Sequence, residues 1–249
     1  MLNLQNFNEE DKYKKHMIIG IIGAMEIEVT RLRDELKNKE EINKAGFTFY
    51  KGQIHGVDIV LLQSGIGKVN ASIGTAVLID NFSPDFVINT GCAGGFISDI
   101  KVGDIIISKE AIHHDFDCTV FGYKHGQVPG MPPSFIADSK LIDIADKSIH
   151  KLTNLTTKCG TVVTGDQFMN NPEATKRIKE MIPEADAVEM EGAAIAQTCH
   201  RFEVPFVVIR SISDIAGQEN AIQYEEFVET AAVNSGNMVM EMIQELGQA

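Results

Sequence analysis

The sequence predicts one α/β domain over residues 17–249, built on a largely parallel β-sheet with helices on both faces. Short apolar segments alternate with segments of helical periodicity along the chain, which is typical of this architecture. The length of 249 residues and the 44% hydrophobic content suit a single large core. Residues 1–16 are polar and lack the apolar region of a signal peptide, so we interpret them as an N-terminal extension. Met17 stays open as an alternative start.

The predicted strands are apolar runs bounded by glycine, proline or polar residues. The first, over 17–23, is continuous, as expected for a strand buried on both faces. Further strands are predicted at 47–54, 57–63, 86–90, 104–108, 160–164, 187–190 and 205–211.

Helical spacing predicts the segments between these strands. Val29, Leu32 and Leu36 mark the first helix. Others are predicted at 69–79, 141–149, 174–181, 192–202 and 224–246. Residues 113–133 follow no period and carry glycine, proline and aromatic residues; a loop of that length is usually functional or sits at an interface.

Composition excludes several classes of function. The chain has 22 basic and 35 acidic residues, a formal charge of −13, which disfavours nucleic acid and anionic membrane surfaces as partners. No apolar run is long enough to span a membrane. The four cysteines form no CxxC pair, which is typical of reduced thiols in a cytoplasmic protein. The histidines show no HExxH pattern, so no metal site is predicted.

The most informative feature is acidic residues that end two apolar strands. Val188 leads into Glu189 and Glu191, and the strand over 205–211 leads into Ser213 and Asp214. Buried carboxylates are costly unless a ligand or partner uses them, and ligands bind at the carboxyl ends of strands in open α/β sheets. The pattern favours a site for a neutral or electron-poor substrate. A buried ion pair for the two glutamates, which would share a face of a strand, and a helix N-cap for Asp214 stay open.

Other candidate site residues have structural alternatives. Glu26 and Glu28 follow the first strand. Because successive residues on a helix are rotated by ~100°, the two point to different sides and at most one faces a cleft. The alternative is that both are there because the helix dipole stabilises acidic residues near a helix N-terminus. Residues 91–95 form a predicted glycine-rich turn that lets a ligand approach the backbone, or a plain tight turn. Phe168 and Tyr224 could stack on a planar ring or belong to the core.

Taken together, these motifs resemble those of the 5′-methylthioadenosine/S-adenosylhomocysteine nucleosidases, in the purine and uridine phosphorylase superfamily. The resemblance runs from about Met17 to the C-terminus and implies a nucleoside phosphorylase-like fold, with a twisted mixed β-sheet, largely parallel, flanked by helices. It is carried by Gly20-Ile21-Ile22-Gly23-Ala24-Met25-Glu26-Ile27-Glu28-Val29, Ser64-Gly65-Ile66-Gly67-Lys68-Val69, Asn89-Thr90-Gly91-Cys92-Ala93-Gly94-Gly95, Phe121-Gly122-Tyr123, Val188-Glu189-Met190-Glu191 and Arg210-Ser211-Ile212-Ser213-Asp214.

The resemblance implies a division of roles among three carboxylates. Glu28 would activate water, Asp214 would protonate adenine, and Glu191 would bind the ribose hydroxyls. The implied substrate contacts are Met25, Cys92, Ala93, Gly94, Phe168, Met169, Val188, Met190, Glu191, Ser213 and Tyr224. Phe121 and Pro129 would reach the site of a neighbouring subunit in a homodimer. Three positions depart from the family: Cys92 where serine is frequent, Gly192 where alanine is common, and Tyr224 where phenylalanine is common.

The implied activity is hydrolysis of the N-glycosidic bond of 5′-methylthioadenosine, S-adenosylhomocysteine and 5′-deoxyadenosine, giving adenine and the corresponding (thio)ribose. It would serve methionine salvage and removal of methyl-cycle by-products, in the cytoplasm and without metal or cofactor. Three alternatives stay open: a purine nucleoside phosphorylase of the same fold, an aminodeoxyfutalosine nucleosidase and a non-catalytic nucleoside-binding module.

Overall fold

Strands and helices alternate along the chain, as the sequence predicts. A computed structural model describes residues 17–96, 100–152, 155–217 and 220–248; the predicted extension over 1–16 lies outside the described residues. The strands are β1 (Ile18–Gly23), β2 (Lys37–Lys44), β3 (Phe47–Ile54), β4 (Val57–Gln63), β5 (Phe86–Gly95), β6 (Ile105–His113), β7 (Phe135–Ile136), β8 (Thr157–Thr164), β9 (Ala185–Glu189) and β10 (Phe206–Ile215). The helices are α1 (Glu26–Glu35), α2 (Lys68–Phe82), α3 (Ser139–Ile149), α4 (Pro172–Met181), α5 (Gly192–Phe202) and α6 (Asn220–Gln248).

All ten strands belong to one mixed sheet, which confirms the predicted fold class. Its order is β10-β6-β8-β9-β5-β1-β4-β3-β2, with β7 beside β6. Strand β10 also pairs with β5, so that β5, β10, β6, β8 and β9 close into a ring. Parallel pairs join β1 to β4 and β5, β10 to β5, and β8 to β6 and β9. The other pairs are antiparallel.

The ring brings the carboxyl ends of several strands together. Strands β1, β5 and β10 run in one direction. Strand β9 runs against β5, and the two pair only near their carboxyl ends, at Gly94 with Val188 and Gly95 with Ala187. The carboxyl ends of β1, β5, β9 and β10 therefore meet at one place, where a ligand site is expected in such a sheet.

The core explains why the strand prediction from apolar runs succeeds. Ile19, Ile21 and Ile22 of β1 are fully buried, because helices cover both faces of the central strands. Helix α2 packs against α5, and α6 packs across β5 and β10. The main apolar cluster runs without interruption through these elements.

Several sequence predictions about the sheet need correction. Strand β2 was not predicted because its sequence, KNKEEINK, is charged and all of its residues except Ile42 are exposed; such an edge strand gives no hydrophobic alternation, and its charges protect the edge. The turn predicted over 91–95 is wrong, because β5 continues through Gly95 by pairing with β10 and β9. Strand β10 likewise continues to Ile215, beyond its predicted end.

Candidate active site

A narrow cleft lies at the carboxyl ends of β1, β5, β9 and β10, and four acidic side chains line it: Glu28, Glu189, Glu191 and Asp214. The remaining lining residues are Ala24, Met25, Ile66, Cys92, Ala93, Gly94, Phe168, Val188, Met190, Ser213 and Tyr224. Two surface grooves have larger volumes, of about 750 and 760 Å³. The narrow cleft is nevertheless the better candidate site, because it concentrates the acidic groups predicted to carry chemistry.

Glu28 is the acid of the first helix that faces this cleft. Its side chain is buried, and its Oε2 accepts hydrogen bonds from the amides of Ala24 and Met25 at 2.7 and 3.0 Å. Its Oε1 accepts a third from the Cys92 amide at 3.0 Å. Glu26 instead points outward and pairs with Arg33 at 2.6 Å. The prediction that at most one of the two acids faces the cleft is therefore confirmed.

The strand beneath Glu28 needs a glycine at position 91. A Cβ on Gly91 would lie 2.4 Å from Glu28 Oε1 and 2.9 Å from Arg210 Nη1. Both distances are shorter than any normal contact, so a side chain here would displace the carboxylate and the guanidinium together. Gly91 thus lets two side chains of the protein approach the backbone closely, and it does so within a strand and not a turn. Close approach of a ligand to residues 91–95 stays a prediction.

Glu189 and Glu191 surround a buried guanidinium. Arg210 is 1% exposed; its Nη2 lies 2.5 Å from Glu189 Oε2, 3.8 Å from Glu191 Oε2 and 2.7 Å from Asn89 Oδ1. The ion-pair alternative is therefore confirmed for Glu189. The two glutamates do not share a strand, because β9 ends at Glu189 and Glu191 immediately precedes α5.

The environment of Glu191 favours its neutral form. Burial and the neighbouring charge of Glu189 raise the pKa of Glu191 to about 8, while Arg210 and a hydrogen bond from the Gly67 amide at 2.9 Å act in the opposite direction. Burial of a carboxyl group beside a second acid disfavours the charged form. This cleft therefore holds a proton more readily than isolated carboxylates would.

Asp214 lies inside strand β10, at an irregularity in its pairing with β5. The register shifts between Ile212 and Asp214, and a bulge of this kind re-aims side chains beside functional sites. Asp214 is buried, and the Ser213 hydroxyl donates to its Oδ1 at 2.7 Å. The N-cap alternative for Asp214 is wrong, because β10 continues to Ile215 and the next helix begins at Asn220.

Aromatic side chains form one wall of the cleft. The rings of Phe168 and Tyr224 meet edge to face, with centroids 5.4 Å apart. The Tyr224 hydroxyl contacts Met25 Sδ at 3.4 Å, and burial raises the pKa of Tyr224 to about 12. An apolar wall facing carboxylates suits a planar ring that also carries polar edges.

Three predicted site residues lie elsewhere in this subunit. The side chain of Met169 is buried in a small apolar cluster with residues such as Val163 and Ile178, so only its main chain could face a ligand in the cleft. Phe121 and Pro129 are exposed on the 113–133 loop. All other predicted contacts line the cleft.

The structure adds residues to which the sequence analysis assigned no role. Arg210 neutralises part of the acid cluster from below, and Ile66 and Ala24 complete the lining. The amide of Gly67 holds one oxygen of Glu191. The motifs SGIGK and RSISD contain three of these residues, but only the folded sheet shows that they meet.

The departures at Cys92 and Gly192 fit the geometry. Cys92 holds Glu28 through its backbone amide, so the identity of its side chain does not affect that bond. Burial and the nearby Glu28 raise the pKa of the Cys92 thiol well above its usual value, and it stays neutral.

The Gly192 amide donates to Glu189 Oε2 at 2.7 Å, and a Cβ at Gly192 would lie 3.0 Å from Glu189 Oε1. Helix α5 begins at Gly192, as predicted.

Comparison with known proteins identifies the class to which this fold and cleft belong. Residues 18–244 match the model of the phosphorylase superfamily. Within the part of the chain that is described, no helix is both long and apolar enough to cross a membrane.

Relatives within this superfamily are similar along nearly the whole chain. A 5′-methylthioadenosine/S-adenosylhomocysteine nucleosidase of Hydrogenovibrio crunogenus is 53% identical over 230 residues, covering 92% of this chain and 99% of the relative. The crystal structure of such a nucleosidase from Colwellia psychrerythraea, in complex with adenine, has a TM-score of 0.92 and 49% identity, covering 93% of this chain and 96% of its own. The enzyme of Neisseria meningitidis, in complex with methylthio-immucillin-A, has a TM-score of 0.90 and 45% identity, covering 92% and 99%. The chain belongs to the 5′-methylthioadenosine/S-adenosylhomocysteine nucleosidase family.

Proposed function

We propose that the chain hydrolyses the N-glycosidic bond of 5′-methylthioadenosine and S-adenosylhomocysteine, releasing adenine and the thioribose. The observation that supports this most directly is the cleft in which Glu28, Glu191 and Asp214 converge beside an aromatic wall. Relatives that are about 50% identical over nearly their whole length are named 5′-methylthioadenosine/S-adenosylhomocysteine nucleosidases. The same site would accept 5′-deoxyadenosine, and the activity would serve methionine salvage and removal of methyl-cycle by-products.

The two catalytic acids divide the work. Bond cleavage generates an oxocarbenium-like sugar and a poor leaving group, adenine, that needs a proton. Asp214 supplies that proton to ring nitrogen seven of adenine, and Ser213 orients the carboxyl group through its hydroxyl. Glu28 takes a proton from the attacking water, and its three backbone donors hold the carboxylate in place for this step.

Glu191 binds the sugar between these two acids. One of its oxygens is occupied by the Gly67 amide, which leaves the other for a ribose hydroxyl. Burial disfavours the ionised form of Glu191, but where Glu191 is ionised its charge would also stabilise the positive charge that develops on the sugar. Met190 packs beside the ribose, and Phe168, Val188 and Gly94 surround adenine.

Water is the better nucleophile than phosphate in this cleft. Among the described residues, the lining side chains include no lysine or arginine, and Arg210 is already paired with Glu189 below the floor. A fixed carboxylate at the nucleophile position repels an anion, so a phosphorylase is disfavoured.

The decisive experiment measures adenine release from a panel of nucleosides, with and without phosphate. We expect turnover of both thioethers at a rate that is independent of phosphate and unaffected by a chelator. A rate that rises strongly with phosphate would establish the phosphorylase alternative. Preference for aminodeoxyfutalosine in the same panel would establish the other, and unchanged substrate after long incubation would indicate a binding module.

A homodimer is the proposed working form. Helices α2 and α5 and the 113–133 loop line a groove of about 760 Å³. Val69 and Ile73, which belong to its lining, are 67% and 49% exposed. Phe121, on the same loop, is 77% exposed. Exposed apolar side chains grouped in this way favour an interface, and a second copy would cover them and bring Phe121 and Pro129 to its partner's cleft. The four free cysteines fit a reducing, cytoplasmic location.

A further inference from the structure

The N-terminus of helix α2 is held by residues from other segments. The N-cap residue Gly67 offers no side chain, and the helix begins without a cap of its own. Instead, the Lys68 amide donates to Asp166 Oδ1 at 2.7 Å, and the Gly67 amide donates to Glu191 at 2.9 Å. Two orphan donors of the first turn are thus satisfied by acids that are distant in sequence.

Three residues close a ring around this helix start, and we call them the Lys68 cluster: Lys68, Asp115 and Asp166. Lys68 Nζ pairs with Asp115 Oδ1 at 2.6 Å. The other oxygen of Asp115 accepts the Asp166 amide at 3.0 Å, and Asp166 returns to the Lys68 amide. Each residue therefore fixes the next, and the ring joins α2 to two loops.

The Lys68 cluster is partly shielded from water. The side chains of Lys68 and Asp115 are 22% and 30% exposed. Burial alone would raise the pKa of Asp115, but the hydrogen bonds from Lys68 and the Asp166 amide hold it below its usual value. The ion pair is better placed than a fully exposed one, whose contribution is small.

We infer that the Lys68 cluster is a positioning device for ribose recognition: it fixes the Gly67 amide, and through it the orientation of the Glu191 carboxylate. Gly67 lies next to the clamped Lys68, and a Cβ on Gly67 would lie 3.1 Å from Asp166 Oδ1, so the turn fits closely against the cluster. Lys68 and Asp115 line no part of the cleft and act through Glu191. The inference rests on the proposed function and adds residues to it.

The adenine side of the cleft adjoins the Lys68 cluster, because Asp166 lies two residues before Phe168, but the Asp166 amide keeps its acceptor on Asp115 when Lys68 alone is replaced. Further hydrogen bonds also hold this segment. The segment of Phe168 is held by hydrogen bonds from Gln167 to Gly165 and from Asn170 to Phe168. The Gly217 amide also donates to the Met169 carbonyl at 3.0 Å. Loss of the lysine should therefore weaken binding of the sugar while free adenine still binds normally, which a general loss of folding would not do.

The test compares Lys68→Met with wild type in four measurements: kcat and KM for 5′-methylthioadenosine, the Kd of free adenine, Tm and sedimentation. Lys68 also lines the groove between α2 and α5 that is proposed as the dimer interface, so a rise in KM that accompanies loss of the dimer would overturn the inference. We expect KM to rise roughly 5–30-fold, the range for weakening one charge-assisted hydrogen bond. The Kd of adenine should change less than about 2-fold, because adenine does not need Glu191. Lys68→Arg should restore most of the binding, since its guanidinium can still pair with Asp115.

The control is Lys151→Met, which removes an ion pair of similar length to Glu245 at 2.6 Å, far from the cleft, and should leave both KM and Kd unchanged. If Lys68→Met does not fold, Asp115→Asn decides, because asparagine keeps an acceptor for the Asp166 amide and turns its NH₂ group toward Lys68, which removes the ion pair. An unchanged KM, or equal weakening of adenine and nucleoside binding, would overturn the inference. A wild-type protein that releases no adenine would instead overturn the proposed function itself.

Discussion

The side chain of Glu28 caps helix α1 and also faces the cleft where we propose that it acts in catalysis. It stands at the third residue of α1 and returns a carboxylate oxygen to the amide of Met25, the N-cap residue, as a helix-capping glutamate does. The other oxygen reaches the Cys92 amide on β5. The dipole interpretation and the catalytic one are therefore compatible, and replacing this residue should affect both stability and turnover.

Replacing Glu28 by glutamine should abolish turnover and lower stability. Glutamine cannot accept a proton from water, so we expect kcat to fall at least ~10²–10⁴-fold. Both carboxylate oxygens accept backbone amides, so the new NH₂ group must face a donor, which should cost about 1–3 kcal/mol. Steady-state kinetics and thermal unfolding measure the two effects. Glu26→Gln is the matched control, and loss of turnover in that variant alone would reverse the choice between the two acids.

Replacing Asp214 by asparagine should have an effect that depends on the leaving group. Asparagine can accept the Ser213 hydroxyl but delivers no proton, so adenine release should slow by orders of magnitude. A synthetic nucleoside with an activated phenol-like leaving group needs little protonation and should lose much less rate. The measurement is kcat for both substrates in the same preparation. Equal slowing of the two would mean that Asp214 only positions the substrate.

At the scale of elements, the sequence predicts what hydrophobic pattern controls. The runs over 17–23 and 57–63 are buried on both faces and were assigned correctly, as were the helices with periodic apolar faces. The hydrophobic pattern does not predict strand β2, because this strand is stabilised by backbone pairing with β3 and not by burial of its side chains. The extension of β5 through Gly95 depends on partners that are distant in sequence, and no local pattern records them.

The same distinction holds within the site. The resemblance of the motifs predicts which residues gather in the cleft, and all predicted contacts of one subunit except Met169 line it. Hydrogen bonds from the backbone leave no comparable trace. The amides of Ala24, Gly67 and Cys92 position Glu28 and Glu191, yet any residue type except proline supplies an amide. Local sequence therefore identified the acids but not the donors that orient them.

At the scale of the whole molecule, the exposed residues of the 113–133 loop favour a cleft that is completed by a second subunit. Phe121 and Pro129 are exposed and lie outside the lining of their own subunit's cleft. A monomer would leave the α2–α5 groove and the loop uncovered, with Val69, Ile73 and Phe121 in water. Burying such groups in a symmetric interface removes this cost and can add loop residues to a second cleft. If each cleft takes residues from both subunits, a dimer of two different variants can hold one intact cleft.

Two inactive variants should restore activity when combined. Glu28→Gln destroys its own cleft but still offers Phe121 to a partner, whereas Phe121→Ala keeps Glu28 but supplies no ring. In a hybrid dimer, the cleft with Glu28 receives Phe121 from the Glu28→Gln subunit and should work. With random mixing, about half of all dimers are hybrids, and each hybrid has one intact cleft out of two. About a quarter of all clefts are then intact, so co-expression should give about a quarter of wild-type kcat/KM. The variants mixed as preformed homodimers are the control. Activity of the co-expressed pair that equals the mean of the two homodimers, or a fully active monomer in sedimentation, would show that each subunit completes its own cleft.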